Sequence, residues 1–147
     1  MFSDKVVALL SKRVTGVITT LLPDGSPHSV IAGVVIEGDE LVSHTGPGAR
    51  RLDNLRADPR INVLAIDPET PMRYMEVRGT ATIEEVLGSE LVDTFRQHAE
   101  KYQLPEEAGR VAPEASVIKI RIRPDKIGYH ELDPSRMGPE RLQRPRP

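Results

Sequence analysis

Residues 43–60, SHTGPGARRLDNLRADPR, hold the chain's densest grouping of residues suited to gripping an anion. An extended run closes on His44 and Thr45, the chain turns through Gly46-Pro47-Gly48, and Arg50 and Arg51 open a helix that the spacing predicts over 49–57. The first turn of a helix presents unpaired backbone N–H groups and a partial positive charge. Glycines before it let a ligand approach the backbone, two guanidinium forks hold phosphate oxygens from two directions, and Thr45 adds a hydroxyl. This arrangement describes a phosphate socket. Its competitor is a solvated pair of charges on a surface helix, and the spacing by itself leaves both readings open. Neither G-x-x-x-x-G-K-[ST] nor G-x-G-x-x-G follows a strand, so the usual nucleotide-binding loops are not indicated.

The other groups able to do chemistry are sparse. The four histidines, His28, His44, His98 and His130, fall at no metal-ligand spacing, so no zinc site is expected, and His98 reads as a helix-surface residue. Cysteine is absent, which removes disulfides, thiolate metal sites and a cysteine nucleophile and suits a reducing, cytoplasmic setting. A net charge of -2 leaves no broad basic field for nucleic acid, and 3% aromatic residues without Trp leave no base-stacking platform. No apolar run approaches the roughly 20 residues needed to cross a bilayer, so no membrane association is expected. At 147 residues and 38% hydrophobic content the chain suffices for one domain with one core.

The elements that must position the arginines follow from periodicity. Ser3 or Asp4 caps a helix with Val6, Val7, Leu9 and Leu10 at helical spacing, ending near Arg13. TGVITTLL, HSVIAGVVIE and LVSHT read as three successive strands joined by tight turns at PDGSP and GDE, an antiparallel meander. After the arginine helix, whose Leu52 and Leu55 share a face, come the strand RINVLAID and the long strand RYMEVRGTATIEE, with Gly79 marking a bend or bulge. An amphipathic helix over 87–102 turns Leu91, Val92, Phe95 and Ala99 inward. In SVIKIRIRPDKIGYHE, Ile118, Ile120 and Ile122 share one face, and Lys119, Arg121 and Arg123 share the other, where solvation is the expected fate. Residues 132–147, rich in Pro and Arg, form a tail outside the domain of 1–131. The fold class is therefore mainly β (α+β): a six-stranded antiparallel barrel with peripheral helices.

The succession GVITTLLPDGSPHSVIAGVVIEGDELVSHT, GPGARRLDNLRADPRINVLAI and RYMEVRGTATI resembles the split-barrel flavin-binding proteins related to pyridoxamine 5′-phosphate oxidase. Within them it is most similar to small actinobacterial oxidoreductases that use the deazaflavin coenzyme F420. The likeness runs over about 5–130, and its most specific part is RRLDNLRADPR followed by EVRG. It implies a six-stranded split barrel of Greek-key character that forms a homodimer, with F420, or alternatively FMN, in a groove between subunits. It places the cofactor phosphate on Ala49, Arg50 and Arg51, ring contacts on His28, Ser29, Val30 and Ile31, and further contacts on His44, Thr45 and Glu76. Arg73 and Tyr74 would close the groove across the dimer and are the candidates for supplying a proton, although no catalytic residue is assigned. Asp53 departs from the family pattern, setting a negative charge near the socket where many relatives carry arginine. The acidic oligoglutamate tail of F420 gives the row Lys119, Arg121, Arg123 a second reading as an anion-facing stripe. The implied activity is hydride transfer between deazaflavin and a small conjugated organic substrate. The alternatives are an FMN-dependent oxidase or reductase and a non-catalytic flavin or haem carrier.

Overall fold

The computed structural model describes residues 1–110, 112, 114–136 and 138. Helix α1 (Asp4–Leu10) is capped by Ser3, whose hydroxyl accepts from the Val6 N–H, and it buries Val6, Leu9 and Leu10. It stops at Leu10, short of the expected Arg13, and just beyond it Lys12 pairs with the buried Asp67 at 2.8 Å and with Glu69 at 2.9 Å.

The strands are β1 (Thr15–Leu21), β2 (Pro27–Gly33), β3 (Val35–Glu37), β4 (Glu40–Thr45), β5 (Arg60–Ile66), β6 (Arg73–Val86) and β7 (Val117–Glu131). All pair antiparallel in one sheet of order β2-β1-β5-β6-β7-β4-β3. The expected single strand over 28–37 is therefore two strands on opposite edges of the sheet, and the expected three-strand meander is broken between them. The break is at Val34, which is fully buried, and glycines make it possible. A Cβ on Gly16 would come within 2.9 Å of Val34 Cγ2, and one on Gly33 within 2.9 Å of the Tyr102 hydroxyl. Val34 thus drops into the core while the chain passes from one edge strand to the other. The result is a seven-stranded sheet curled so that its edges meet in sequence at 33–35, not a closed six-stranded barrel.

Strand β6 has two neighbours in the sheet. Over 74–80 it pairs with both β5 and β7, and outside that stretch with β7 alone, the register shifting between Arg78 and Gly79. Glycine is required at this bulge because a Cβ there would collide with the Arg123 carbonyl. The inward residues, among them Ile18, Leu41, Leu52, Val63, Met75, Val77, Ile120 and Ile122, form one buried core.

Helix α2 (Arg50–Ala57) follows β4, and α3 (Gly88–Tyr102) joins β6 to β7 through a 3-10 turn at Glu106–Gly109. Leu91 is buried against Val86 and Val117 with Phe95 alongside, whereas Val92, expected inward, is 40% exposed. Beneath α3 the basic row departs from expectation. Lys119 is only 5% exposed and donates to Glu90 of α3 at 2.8 Å, with Glu37 at 3.7 Å. Arg121 is held by Glu84 at 3.0 Å, Glu40 at 3.3 Å and Glu37 at 3.4 Å. Only Arg123 stays solvated as expected; the other two are spent on fastening α3 and β3 to the sheet, and no open basic stripe results. After β7 ends at Glu131, the Leu132 N–H bonds the Met72 carbonyl at 2.8 Å, and most of the expected tail lies outside the described residues. Among the described residues no helix is long and apolar enough to cross a membrane.

Candidate functional site

The helix that carries the arginine pair is fixed from below. Leu52 and Leu55 are buried, and the Asn54 amide donates to the Thr20 hydroxyl of β1 at 3.0 Å with both residues buried. At its start, Ala49 adopts an extended conformation and offers no side-chain cap, so no side-chain oxygen accepts from the first-turn N–H groups. A Cβ on Gly46 or Gly48 would meet nothing within 4 Å, so the turn faces open space.

The two guanidinium groups lie about 100° apart around the helix and serve different surroundings. Arg50 is exposed and lines a cleft of about 340 Å³ shared with Leu21, Pro23, Gly48, Asp53 and Asn54. Arg51 is half-buried, and its Nε is buried with no hydrogen-bond partner. Desolvation accordingly pushes the Arg51 pKa down from its usual value. A buried guanidinium nitrogen without an acceptor is costly unless an anion completes it. Asp53, the departure from the family pattern, is turned to Arg56 at 3.3 Å, which offsets its charge.

The pleat of β2 divides the four candidates on that strand. His28 and Val30 face inward and are half-buried, the His28 Nδ1 being buried and without a partner. Ser29 and Ile31 face outward, where Ser29 shares a 2.7 Å hydrogen bond with Thr19 and Ile31 is 75% exposed. Opposed residues of an antiparallel pair share a face. The outward row through Ile31 therefore continues as Val17, Leu64 and Glu76, and the row through Ser29 as Thr19, Asn62 and Arg78. Glu76 accepts from the Asn62 amide at 2.6 Å, an outward polar partner that the period-2 alternation of RINVLAI signals but that carries no motif. Tyr74 stacks on His130 with centroids 4.8 Å apart, and Arg73 sits 3.7 Å from Glu131.

His44 and Thr45, consecutive on β4, face opposite sides. Thr45 is buried opposite Ile118, while His44 lies outward under α3, across from Lys119. There His44 meets His98 edge to face at 5.3 Å, so His98 is not the free surface residue its sequence context suggests. Its place three residues after Phe95 on the inward stripe of α3 was the available signal. Burial, with the positive charge of Lys119 and the nearby His98 adding to it, lowers the His44 pKa to about 4. Both His44 ring nitrogens are buried without partners.

One chain thus assembles three groups rather than a single pocket. Ser29, Ile31, Tyr74 and Glu76 share the outward sheet face with Arg73 at its margin. Arg50 and Arg51 stand at the start of α2, and His44 lies under α3. His28, Val30 and Thr45 point into the fold.

The profile of the family described as pyridoxamine 5′-phosphate oxidase matches residues 2–126. Among solved structures, one named F420 reductase is 25% identical, with a TM-score of 0.69 over 82% of this chain and 94% of its own. General stress protein 26 from Bacillus anthracis is 26% identical, with a TM-score of 0.66 over 86% of this chain and 92% of its own. A putative pyridoxamine 5′-phosphate oxidase from Listeria innocua, at 24% identity and a TM-score of 0.62 over 86% and 95%, shares the fold. No curated protein sequence matches the chain. With a profile match that takes in every strand except the end of β7, and the same sheet in these structures, the chain belongs to the pyridoxamine 5′-phosphate oxidase-like, flavin-binding split-barrel family.

Proposed function

We propose that the chain is a cytoplasmic oxidoreductase that binds coenzyme F420 and transfers a hydride between it and a small conjugated organic substrate. The observation that carries this reading is the Arg51 guanidinium: its Nε is buried and unpartnered beside an uncapped helix start and a glycine turn that faces open space. These residues suit the phosphate of a flavin-type cofactor, which would supply the missing acceptor. Arg50 and Arg51 would hold that phosphate, and the first-turn N–H groups of α2 would orient it. When bound, the coenzyme supplies the hydride, so no nucleophile or carboxylate pair is needed from the protein.

The outward face of β2, β1, β5 and β6 supports a homodimer. It presents Ile31 at 75% and Ile66 at 45% exposure, with Val17 and Leu64 between the strands' polar residues. A second copy would cover this face and bring its Tyr74, Arg73 and Glu76 toward the first copy's groove, joining groups that one chain leaves apart. The 25% identity to the structure named F420 reductase favours the deazaflavin, whereas the paired state of Lys119 and Arg121 removes the basic row as support for it. FMN is the second reading, favoured by the match to the oxidase profile over 2–126. Titration of the cofactor-free protein with F420 and FMN side by side, followed by absorbance, tests the assignment. Tighter F420 binding supports it, and retention of stoichiometric FMN with no F420 binding reverses it.

A further inference from the structure

Helix α3 covers the outward side of β4 without filling the space beneath it. A cavity of about 310 Å³ remains there, with Phe95, Ala99, Leu104 and Val117 on its apolar side and His98 on its polar side. A cavity of roughly 150 Å³ takes one benzene ring, so this one has room for two fused rings. Ala99 and Leu104 also line a cleft of about 510 Å³ along α3, and Leu104 is 49% exposed, so the way in from solvent passes this residue.

His98 offers this space one defined hydrogen-bonding atom. Its Nδ1 lies 2.9 Å from the Thr94 carbonyl, which can only accept, so Nδ1 carries the proton and Nε2 of the neutral ring is an acceptor. No protein group among the described residues donates to Nε2, and unlike both ring nitrogens of His44 it is not sealed from solvent. The ring is also held by its neighbours. His44 meets it edge to face at 5.3 Å, and Tyr102, whose hydroxyl donates to the Val14 carbonyl at 3.1 Å, stacks on it at 6.2 Å. An acceptor fixed before a ligand arrives loses little freedom on binding.

The charges around the cavity narrow the ligand further. No Lys or Arg lines it, and Lys119, opposite His44 in the β4–β7 pairing, is committed to Glu90 at 2.8 Å. An anion would meet no counter-charge and would set its oxygens against the Nε2 lone pair, and an ammonium would carry its charge against apolar walls. A carbonyl or ether oxygen would face the same lone pair with no proton between them. A hydroxyl on an aromatic ring satisfies both sides: its O–H completes Nε2 and the ring lies on the apolar walls.

We infer that this cavity is a binding site, separate from the arginine pair, for an uncharged phenol-type compound of one or two rings whose hydroxyl donates to His98 Nε2. The inference goes beyond the cofactor reading and does not depend on it.

The test uses the full chain labelled with ¹⁵N at histidine, without added cofactor, at about pH 8, where an imidazole is neutral. It is titrated separately with 2-naphthol, with 2-methylnaphthalene, which has the same shape without the donor, and with 2-naphthoate. The expected result is a saturable shift of the unprotonated Nε2 resonance of His98 with 2-naphthol, and none with 2-naphthoate. In His98→Phe the preference for 2-naphthol over 2-methylnaphthalene, taken as the ratio of their Kd values, should fall about fivefold while the hydrocarbon still binds. Ala99→Phe, which fills the cavity, should weaken both ligands at least about tenfold. Leu104→Trp, at an exposed position of the same wall, supplies a second closure should Ala99→Phe disturb folding. An Nε2 resonance that does not move with 2-naphthol, a preference unchanged in His98→Phe, tighter binding of 2-naphthoate than of 2-naphthol, or binding that survives both closures overturns the inference.

Discussion

Asn54 of α2 donates a hydrogen bond to Thr20 of β1 across 3.0 Å, with both residues buried, and this bond ties the helix bearing Arg50 and Arg51 to the sheet. Replacing Asn54 by Leu leaves the Thr20 hydroxyl without its donor, at a cost of about 1–3 kcal/mol. Thr20→Val in the same background removes the orphaned hydroxyl and should recover part of the loss. Urea unfolding of the two single variants and the double variant measures this. Strict additivity of the two substitutions would show that the bond does not anchor the helix.

The His44 environment predicts a window of acid sensitivity. The folded-state pKa is about 4 against an ordinary 6.5, so between these values the unfolded chain holds the extra proton and stability falls as the pH falls. The shift corresponds to at most about 3 kcal/mol, lost progressively from pH 6.5 downward. The charges facing His44 are those of Lys119, Glu90 and Arg121, with the imidazole of His98. The lowered carboxylates, Asp24, Asp58, Asp67 and Glu90, add their own losses only as the pH approaches their ordinary values of 3.8 to 4.5 and below. Chemical unfolding between pH 6.5 and 5 therefore isolates the histidine. His44→Phe should flatten that part of the profile, and an unchanged slope in the variant would contradict the assignment.

The exposed outward face predicts the assembly. Ile31 is 75% exposed and sits opposite Val17 on the sheet, so Ile31→Glu should leave the fold intact and separate the copies. Light scattering at micromolar concentration should give a dimer mass for the parent and a monomer mass for the variant. A parent that is monomeric removes the shared groove.

Much of this architecture was written in local pattern. The strand alternation of IKIRIR, the glycine at position 79 and the helix after GPG each follow from short-range rules, and each stands where those rules put it. What local pattern does not encode is the partner of each face. HSVIAGVVIE reads as one strand, yet Val34 leaves one edge strand and opens another because Gly16, distant in sequence, clears space for its side chain. Lys119 has the alternation of a solvated residue, but Glu90 and Glu37 arrive from α3 and β3 to bury it. The site was legible in the same degree. The arginine pair and its glycine turn were visible as chemistry, whereas the pairing of His44 with His98 depends on α3 folding back over β4.

The central claim is that Arg50 and Arg51 hold the cofactor phosphate, and cofactor titration of Arg50→Ala/Arg51→Ala tests it most directly. A charge-assisted contact contributes roughly 1.5–3 kcal/mol, so loss of both should lower F420 affinity at least about tenfold. Thermal stability should hold or rise, because the partnerless Arg51 Nε is removed from a buried position. A double variant that binds F420 and FMN as tightly as the parent, with the same unfolding temperature, would contradict the phosphate socket and leave the two arginines as surface charges.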